Sequence, residues 1–407
     1  MCDFWQSEKG NGFKMNKTVY DLIDIKQNKS KAFDVDELVG VCKRINNSKR
    51  DFLFVNKFQG KHFPQKPSDI FKMLAEFIEN IQINDEKVLV IGFAETATAI
   101  GNYVSAKLPN CIYNMQTTRE QLENHKPIIE FREEHCHAPQ QLLYGDIEIF
   151  NNIQRVLFVE DEITTGKTII NFIKEINKIN PNLKYAVASI LNWQDEDSIN
   201  LYKENNIDTF CLIKGLIKDV NAKVDVNIND EFKTKSSQID TIKKYKIKSE
   251  ICNLEKNRIT KEAIKDIEYY SKYLFEKISQ ASKIINNICN EQNKKILVLG
   301  TEEFMYEPLL FAKYLEDNTQ NIIKYHATTR SPIEISKENG YLLNERYRFS
   351  SCYEEERTTF LYNLDIYDYA FIITDSIVKE GFRKEISNIF YEKGYDLNNI
   401  EIISFSD

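Results

Sequence analysis

The stretch VLFVEDEITTGKT (156–168) combines three features that decide the fold and the candidate site. Its apolar residues VLFV (156–159) predict a buried strand. Two acids, Glu160 and Asp161, follow at the carboxyl end of that strand. A short polar loop then leads into a predicted helix, and its residues are Thr164, Thr165, Gly166, Lys167 and Thr168.

This order of residues predicts a site for a ribose 5-phosphate. Ligands of open α/β sheets bind beyond the carboxyl ends of strands, and a helix N-terminus offers N–H donors to phosphate. Gly166 would let the backbone approach the anion closely. Glu160 and Asp161 precede the loop, where they can accept hydrogen bonds from vicinal sugar hydroxyls.

Two other interpretations of the same stretch stay open. TTGKT (164–168) resembles part of a P-loop, but Glu162 stands where a triphosphate would have to nest. A buried acid facing that charge would be costly. The stretch is also compatible with an ordinary strand-to-helix turn that a threonine caps.

Similar apolar runs alternate with helical patterns through the first half of the chain, which is typical of a parallel α/β sheet. The predicted strands are 50–57, 87–93, 111–119, 155–161, 184–193 and 208–215, and the predicted helices include 67–81, 96–108 and 166–179. After a polar stretch (216–260), one long amphipathic helix is predicted over 259–289. A second α/β pattern begins at KKILVLGTEEF (294–304).

The second pattern echoes the first and predicts a duplicated α/β unit. The matching positions are Gly92 with Gly300, Thr118 with Thr329 and Asp161 with Asp375, which lie 208, 211 and 214 residues apart. Convergence of strand-to-helix turns is the alternative. The predicted organisation is an N-terminal extension (1–37), a phosphate-binding α/β domain (38–215), a linker with a connecting helix (216–290) and a smaller α/β domain (291–407).

Composition excludes several classes of protein. The 407 residues include 54 Lys and Arg against 62 Asp and Glu, a formal net charge of −8. Bulk attraction to nucleic acid or to an anionic membrane is therefore not expected. No apolar run is long enough for a membrane helix. The 8 cysteines form no CxxC pair, which favours reduced thiols in a cytoplasm.

Several motifs in order resemble one known family. VEDEITTGKT (159–168) resembles the phosphoribosyl diphosphate (PRPP) signature of type I phosphoribosyltransferases. With 50–64, 88–101 and EEHCHA (133–138), it resembles the phosphoribosyltransferase domain of a family from bacterial tellurite-resistance gene clusters. The segments 297–312, 327–333 and 356–368 resemble the TRSP domain that follows it in that family. The resemblance spans residues 38 to 407, apart from 216–260.

The resemblance implies transfer of a phosphoribosyl group in nucleotide-like metabolism, with Mg²⁺ as cofactor and PRPP or a nucleotide-like molecule as ligand. Glu160 and Asp161 would bind the ribose, and 164–168 its phosphate. The implied pyrophosphate loop is 92–98, with Gly92, Ala94, Glu95 and Thr96. Glu95 and Asp161 would hold the metal, although Glu95 could equally be a helix-capping acid. Arg119 would neutralise pyrophosphate, or else lie exposed.

A loop rich in ionisable residues, FREEHCHAP (131–139), lies where these enzymes place a flexible lid. Glu134 and His135 are candidates for moving the proton of the nucleophile, and a solvated loop is the alternative. Lys61 and His62 would face an acceptor pocket or form a basic turn in solvent.

The second α/β domain should not bind PRPP in the same way, because TDSIVKEGF (374–382) keeps one acid and lacks TTGKT. Polar residues nevertheless follow its strands and predict a second small-molecule or partner site, unless their role is structural. They are Glu302, Glu303, Thr329, Arg330, Ser331 and Asp375. For the whole chain, the alternative to an enzyme is a PRPP-sensing module without catalysis, and a homodimer is one candidate assembly.

Overall fold

The computed structural model describes residues 17–45, 50–131, 141–232, 241–248, 252–259 and 261–406. The α-helices are α1 (Val19–Leu22), α2 (Val35–Leu38), α3 (Pro67–Glu79), α4 (Thr98–Lys107), α5 (Lys167–Ile179), α6 (Glu196–Glu204), α7 (Leu254–Arg258), α8 (Ile267–Ala281), α9 (Ile285–Asn290), α10 (Tyr306–Asn318) and α11 (Glu380–Glu392). Short 3₁₀ turns cover Lys57–Gln59, Ile147–Asn151 and Leu397–Asn399.

The strands of the first half are β1 (Ile23–Asn28), β2 (Val39–Lys43), β3 (Phe52–Asn56), β4 (Val88–Gly92), β5 (Cys111–Gln116), β6 (Ile129–Phe131), β7 (Gln141–Leu143), β8 (Arg155–Ile163), β9 (Lys184–Asn192) and β10 (Ile207–Ile217). Those that follow are β11 (Lys243–Ile247), β12 (Lys261–Glu262), β13 (Lys295–Gly300), β14 (Ile322–Ala327), β15 (Arg346–Ser350), β16 (Thr358–Tyr362), β17 (Tyr369–Thr374) and β18 (Ile400–Phe405).

The first sheet has the order β1-β10-β9-β8-β4-β5-β12. Its five central strands are parallel, and the edge strands β1 and β12 are antiparallel. This confirms the predicted α/β class with a largely parallel sheet. The run 50–57 forms β3, which does not belong to that sheet. It pairs with β2 in a separate hairpin, and β1 and β12 are the edge strands of the first sheet.

The stretches 88–91 of β4 and 156–159 of β8 are apolar and buried because helices cover both faces of the sheet. On one face, Leu89 and Phe158 pack against Phe172 of α5. On the other face, alternate residues such as Val90 belong to a second hydrophobic core, which also contains Ile296 of β13 and Leu310 of α10. The two halves of the chain therefore share one continuous core.

The second sheet has the order β11-β18-β17-β13-β14 and is parallel throughout. In both sheets the first strand of the unit lies between the second and the third strand: β4 lies between β5 and β8, and β13 lies between β14 and β17. Each unit also carries an antiparallel hairpin after its second strand, β6–β7 in the first and β15–β16 in the second. Duplication of one unit stays a prediction that this common topology supports.

Two segments predicted as extension and linker supply strands to the sheets. Residues of the N-terminal segment form β1, which pairs with β10. The polar stretch after residue 216 contains β11, which pairs with β18 at the edge of the second sheet. Most side chains of both strands are exposed, without a regular alternation of buried and exposed positions. Hydrophobic periodicity therefore gave little signal for them.

The helix predicted over 259–289 is interrupted, and α8 and α9 are separate helices. The break lies at Ser282, whose backbone is extended and whose Oγ accepts a hydrogen bond from the N–H of Ile285 at 3.1 Å. Serine side chains that bond to the backbone in this way compete with helix continuation. Within the described ranges, no helix has the length and apolar character needed to cross a bilayer.

Candidate active site

The candidate site lies where β4 and β8 run side by side. The chain leaves β4 toward β5 on one side and returns to β8 on the other, so the loops after β4 and β8 diverge at this point. Gly92, the last residue of β4, pairs with Val159, one residue before the two acids of β8. In open α/β sheets such a switch in strand order opens the crevice that binds ligands.

Asp161 faces the loop that follows β4. Thr96 Oγ1 donates a hydrogen bond to Asp161 Oδ1 at 2.8 Å. Burial raises the pKa of Asp161 to about 6, against the lowering effect of the Thr96 hydrogen bond. A carboxyl with a raised pKa in a crevice between two loops is a candidate functional group.

Glu160 and Glu162 lie on the opposite side of β8 from Asp161, because successive side chains of a strand alternate. Glu160 is close enough to Tyr202 to raise the pKa of its phenol, together with burial, which is the larger cause. Glu162 forms an ion pair with Arg50 at 3.0 Å. The two acids predicted to share one ribose therefore point in different directions, and Asp161 is the one that faces the β4 loop.

The bend 164–168 follows β8 and opens α5. Thr165 and Lys167 are exposed, and Thr164 and Thr168 are half-buried. The N-cap of α5 is Gly166, which has no side chain to cap the helix, and the N–H of Lys167 donates a long hydrogen bond of 3.5 Å to Thr165 Oγ1. Gly166 has a left-handed backbone conformation, with a φ of 65°, and leaves the backbone of the bend uncovered by a side chain.

Glycine is required at position 166 for two reasons. An L-residue there would be strained by the positive φ, and a Cβ would lie 2.2 Å from Tyr202 Oη. We expect Gly166→Ala to destabilise the protein by about 2 to 4 kcal/mol, measured by denaturant unfolding. Gly340→Ala is the matched control, since Gly340 also has a positive φ but no neighbour within 4 Å. Equal losses for both variants would show that contact with Tyr202 has no effect.

The loop after β4 is held by hydrogen bonds from within the first unit. The N–H of Ala94 donates to Thr117 Oγ1 at 2.8 Å. A Cβ on Gly92 would lie 2.9 Å from the carbonyl oxygen of Ala97, so α4 packs closely on β4 only because residue 92 has no side chain. Gly92, Ala94 and Thr96 therefore shape this loop, as expected for an anion-binding strand-to-helix turn.

Glu95 is buried and ion-paired, which was not expected of either of its predicted roles. Its carboxylate contacts the ammonium of Lys61 and, at 2.9 Å, Nε of Arg330. Burial by itself would raise the pKa of Glu95, but Lys61 and Arg330 hold it well below its ordinary value. Lys61, interpreted from sequence as part of an acceptor pocket or a solvated turn, is fully buried at this contact.

Arg119 lies at the end of β5, half-buried rather than exposed. Its backbone N–H donates to Glu303 Oε1 at 3.0 Å. Its Nε is buried and has no hydrogen-bond partner in the part of the chain that the structure describes. Glu134 and His135, the candidates for proton transfer, lie outside the described residues, as does most of the predicted lid.

Three of the predicted second-domain residues, Glu302, Glu303 and Arg330, form a network with the first domain. Arg330 is the centre of this network: it contacts Glu95, Glu303 Oε1 at 2.6 Å, Glu120 Oε1 at 3.4 Å and Glu302 Oε2 at 3.5 Å. Glu302 and Glu303 are almost completely buried. Their carboxylates are engaged in these contacts, so we attribute these residues to the junction of the two sheets.

The remaining predicted residues of the second domain are also engaged within the protein. Asp375 Oδ2 accepts a hydrogen bond from Nη1 of Arg258 at 3.0 Å. The backbone of Thr329 pairs with Phe360, and the N–H of Ser331 donates to Thr329 Oγ1 at 3.1 Å. Sequence reasoning missed Arg258, because an isolated cation in a polar stretch carries no motif.

The two halves make equivalent hydrogen bonds at their matching positions. The N–H of Ala94 donates to Thr117 Oγ1 at 2.8 Å, and the N–H of Glu302 donates to Thr328 Oγ1 at 3.0 Å. Across the junction, the relation is reciprocal: the N–H of Arg119 donates to Glu303, and the N–H of Arg330 donates to Glu95. The halves therefore face each other through the carboxyl ends of their first two strands.

A magnesium site built on both predicted ligands does not fit this geometry. Glu95 is engaged by two cations, so it is not free to bind a metal. Asp161 fits better, because it is half-buried at the crevice and has no cationic partner among the described residues. Among the described residues, no group of three or more His, Cys, Asp or Glu side chains could hold a metal ion. Substrate phosphates would have to supply most of the ligands.

Two protein families match the chain. The family described as phosphoribosyl transferase (PRTase_2) matches residues 38–216. The family described as TRSP domain C terminus to PRTase_2 matches residues 267–389. A comparison with curated proteins found no match.

Solved structures of phosphoribosyltransferases align with part of the chain. Adenine phosphoribosyl transferase of Trypanosoma brucei, in complex with AMP, pyrophosphate and ribose-5-phosphate, is 12% identical, and the alignment covers 50% of this chain and 85% of that one with a TM-score of 0.31. The Giardia lamblia APRTase complexed with 9-deazaadenine is 12% identical, with 44% and 93% covered and a TM-score of 0.31. Orotate phosphoribosyltransferase of Aeropyrum pernix is 12% identical, with 36% and 72% covered and a TM-score of 0.24. Values of this size support no inference about the chemistry of this chain.

Proposed function

The chain belongs to the family in which a phosphoribosyl transferase domain is followed by a TRSP domain, and from that premise we propose that the first domain uses PRPP and Mg²⁺ to make or cleave an N-ribosidic bond. The observation that carries the proposal is the position of Asp161. It lies between the bend 164–168 and the loop after β4, at the switch point of the first sheet. A phosphorylated pentose needs an acceptor for its hydroxyls and N–H donors for its phosphate, and these two elements lie side by side at the switch point.

Asp161 would accept hydrogen bonds from the ribose hydroxyls, most strongly when it is ionised. The N–H groups and hydroxyls of 164–168 would bind the 5-phosphate at the start of α5. Lys167 is exposed there and adds a positive charge. Glu160 points away from Asp161. We propose that it stabilises the bend 164–168 from the side of Tyr202 and does not bind the ribose hydroxyls.

Pyrophosphate would bind along the backbone of 92–98 and to Arg119. The buried Nε of Arg119 supports this, since it has no acceptor among the described residues and such an N–H is costly unless a ligand supplies one. Glu95 is not proposed as a metal ligand, since its charge is matched by Lys61 and Arg330. Magnesium bound to PRPP near Asp161 would neutralise the charge that leaves with pyrophosphate.

In the proposed reaction the bond between ribose C1 and the pyrophosphate oxygen breaks, and a bond from C1 to a nitrogen of the acceptor forms. The electron pair of the broken bond leaves with pyrophosphate, and the acceptor nitrogen loses its proton. Glu134 and His135 remain the predicted proton carriers. Positive charge develops on the ribose, so stabilisation of the leaving group matters more than a strong base.

The metabolic setting that we propose is a pathway of nucleotide-like molecules associated with stress or tellurite resistance. Its support is the order of motifs in the sequence, which resembles the family from such gene clusters. A PRPP-sensing module without turnover is the alternative function, and the burial of Glu95 in the pyrophosphate loop is the observation that favours it.

The proposal is tested by calorimetric titration of PRPP with Mg²⁺ into the full-length protein. Pyrophosphate release is then measured with a panel of purine and pyrimidine bases. We expect binding and turnover with at least one acceptor. Binding without turnover would favour the sensing module. The absence of any binding heat for PRPP would overturn both functions.

A further inference from the structure

A cavity of about 490 Å³ lies beyond the carboxyl ends of β17 and β18, outside the site described above. Its volume is in the range of small-molecule sites. Its lining comes from both halves of the chain. The lining residues include Glu120, Asn253, Tyr353, Asp375, Ser376 and Lys379.

This cavity occupies the same place in the second sheet as the candidate active site does in the first. Asp375 directly follows β17, and Asp161 lies near the carboxyl end of β8, so both belong to the third sheet strand of their unit. Equivalent hydrogen bonds hold the loop after the first strand of each unit. A crevice at this place in an open parallel sheet is a binding position by its topology.

The cavity cannot bind a phosphoribosyl group as the first site is proposed to do. Both oxygens of Asp375 are engaged: Tyr353 Oη donates to Oδ1 at 2.6 Å, and Nη1 of Arg258 donates to Oδ2 at 3.0 Å. The ribose diol would therefore find no free acceptor on Asp375. The loop that follows has Val378 and Lys379 at the positions that match Thr164 and Thr165 of the first site, 214 residues earlier.

Glu120 supplies the free acceptor of this cavity. Arg330 and Arg357 contact only its Oε1, at 3.4 and 2.9 Å, and Oε2 accepts no hydrogen bond from the described residues. Glu120 is about nine-tenths buried. Burial and the nearby Glu303 raise the pKa of Glu120 to about 7. A hydrogen-bond donor on a ligand would therefore stabilise the ionised carboxylate.

The charge of the lining indicates what kind of ligand fits. Glu120, Glu123 and Glu255 line the cavity, and Lys379 is its one lining cation among the described residues. Arg258 pairs with Asp375, and Arg330 and Arg357 contact one oxygen of Glu120 from outside the lining. The excess negative charge therefore comes from Glu123 and Glu255 against Lys379. A ligand with N–H donors or a positive charge is favoured over an anion.

We propose that this cavity is a second ligand site, which binds an amine-bearing polar molecule no larger than a nucleoside through donation of its N–H groups to Glu120 Oε2. Ser376 Oγ, which makes no hydrogen bond within the described chain, is a further contact for such a molecule. The site is independent of the proposed PRPP site, since Asp161 and the bend 164–168 do not line it.

The test titrates spermidine, L-arginine and adenosine, with ribose 5-phosphate as the anionic comparison, into the full-length protein by calorimetry. We expect at least one of the three amines to bind and ribose 5-phosphate not to compete with it. Glu120→Gln should weaken that binding about 10-fold or more, because a neutral amide replaces the carboxylate. Glu204→Gln, an exposed residue at the end of α6, is the matched control.

Lys379→Glu provides a second variant that does not threaten folding, because Lys379 is exposed. It should strengthen binding of spermidine, since it removes the one lining cation. The proposal is overturned if none of the three amines binds to the unmodified protein, or if Glu120→Gln and Lys379→Glu both bind as the unmodified protein does. PRPP titrated in parallel reports the first site separately.

Discussion

Asp161→Asn is expected to leave a protein that is more stable than the unmodified chain but has lost about 100-fold or more in kcat/KM. The amide keeps the shape of the carboxyl and can still accept the hydrogen bond from Thr96. It cannot bind ribose hydroxyls as a charged acceptor, which is worth roughly 1.5 to 3 kcal/mol per hydrogen bond. Pyrophosphate release under saturating and limiting PRPP measures the loss.

The stability change follows from the pKa of Asp161. Folding raises it from 3.8 to about 6, so the folded protein binds the proton more tightly than the unfolded chain does. Stability is therefore lost as the pH rises from about 4 to about 6, and the ionised carboxylate costs up to roughly 3 kcal/mol above that range. Asp161→Asn removes this cost, so its gain should be largest near pH 8 and small near pH 4.

Activity and stability should thus change in opposite directions with pH. In the unmodified protein, kcat/KM should fall below about pH 6, where Asp161 takes up a proton in the free enzyme. Asp197→Asn is the control, because Asp197 is exposed at the start of α6. If Asp161→Asn lowered the free energy of unfolding at pH 8, Asp161 would be a structural residue and not a strained functional one.

Arg330→Met should be the most destabilising single substitution at the junction of the two halves, by about 3 to 5 kcal/mol. Methionine has a similar length, so packing is largely kept while the charge is lost. Glu95 and Glu303 would then remain buried with fewer cationic partners. Denaturant unfolding of the full-length protein measures the difference in the free energy of unfolding.

The decrease in the free energy of unfolding caused by Arg330→Met should be smaller at acidic pH. Burial alone would raise the pKa of Glu303, but Arg330 and Arg258 hold it at about 2 in the unmodified protein. The stabilisation from such a depressed carboxyl is present above its ordinary pKa and is lost as the pH falls. The variant lacks much of it, so the two proteins should differ less near pH 3 than at pH 8.

Arg383→Met is the matched control for Arg330→Met. Arg383 pairs with Glu380 on the surface of α11, three residues apart, at 2.9 Å. Exposed pairs of this kind are worth at most about 1 kcal/mol. A loss for Arg330→Met no larger than that of Arg383→Met would mean that the buried network contributes nothing to stability.

Local patterns in the sequence were sufficient for the five central strands of the first sheet and for the bend 164–168. The apolar run before Glu160 predicted β8, and the polar residues after it predicted the turn into α5. Periodicity failed for β1 and β11, which are polar edge strands, and at Ser282, where one side-chain hydrogen bond separates two helices. Edge strands need only one buried face or none, so they leave a weak pattern.

The sequence by itself determined the α/β class, the family and the placement of Asp161 beside the bend 164–168, because these depend on residues close together in the chain. Only the tertiary structure decided that Glu95 meets Lys61 and Arg330. Arg330 lies more than two hundred residues from Glu95, and no local pattern records which buried charges will be paired. Burial makes such pairing necessary, but the partner is chosen by the way in which the two sheets pack.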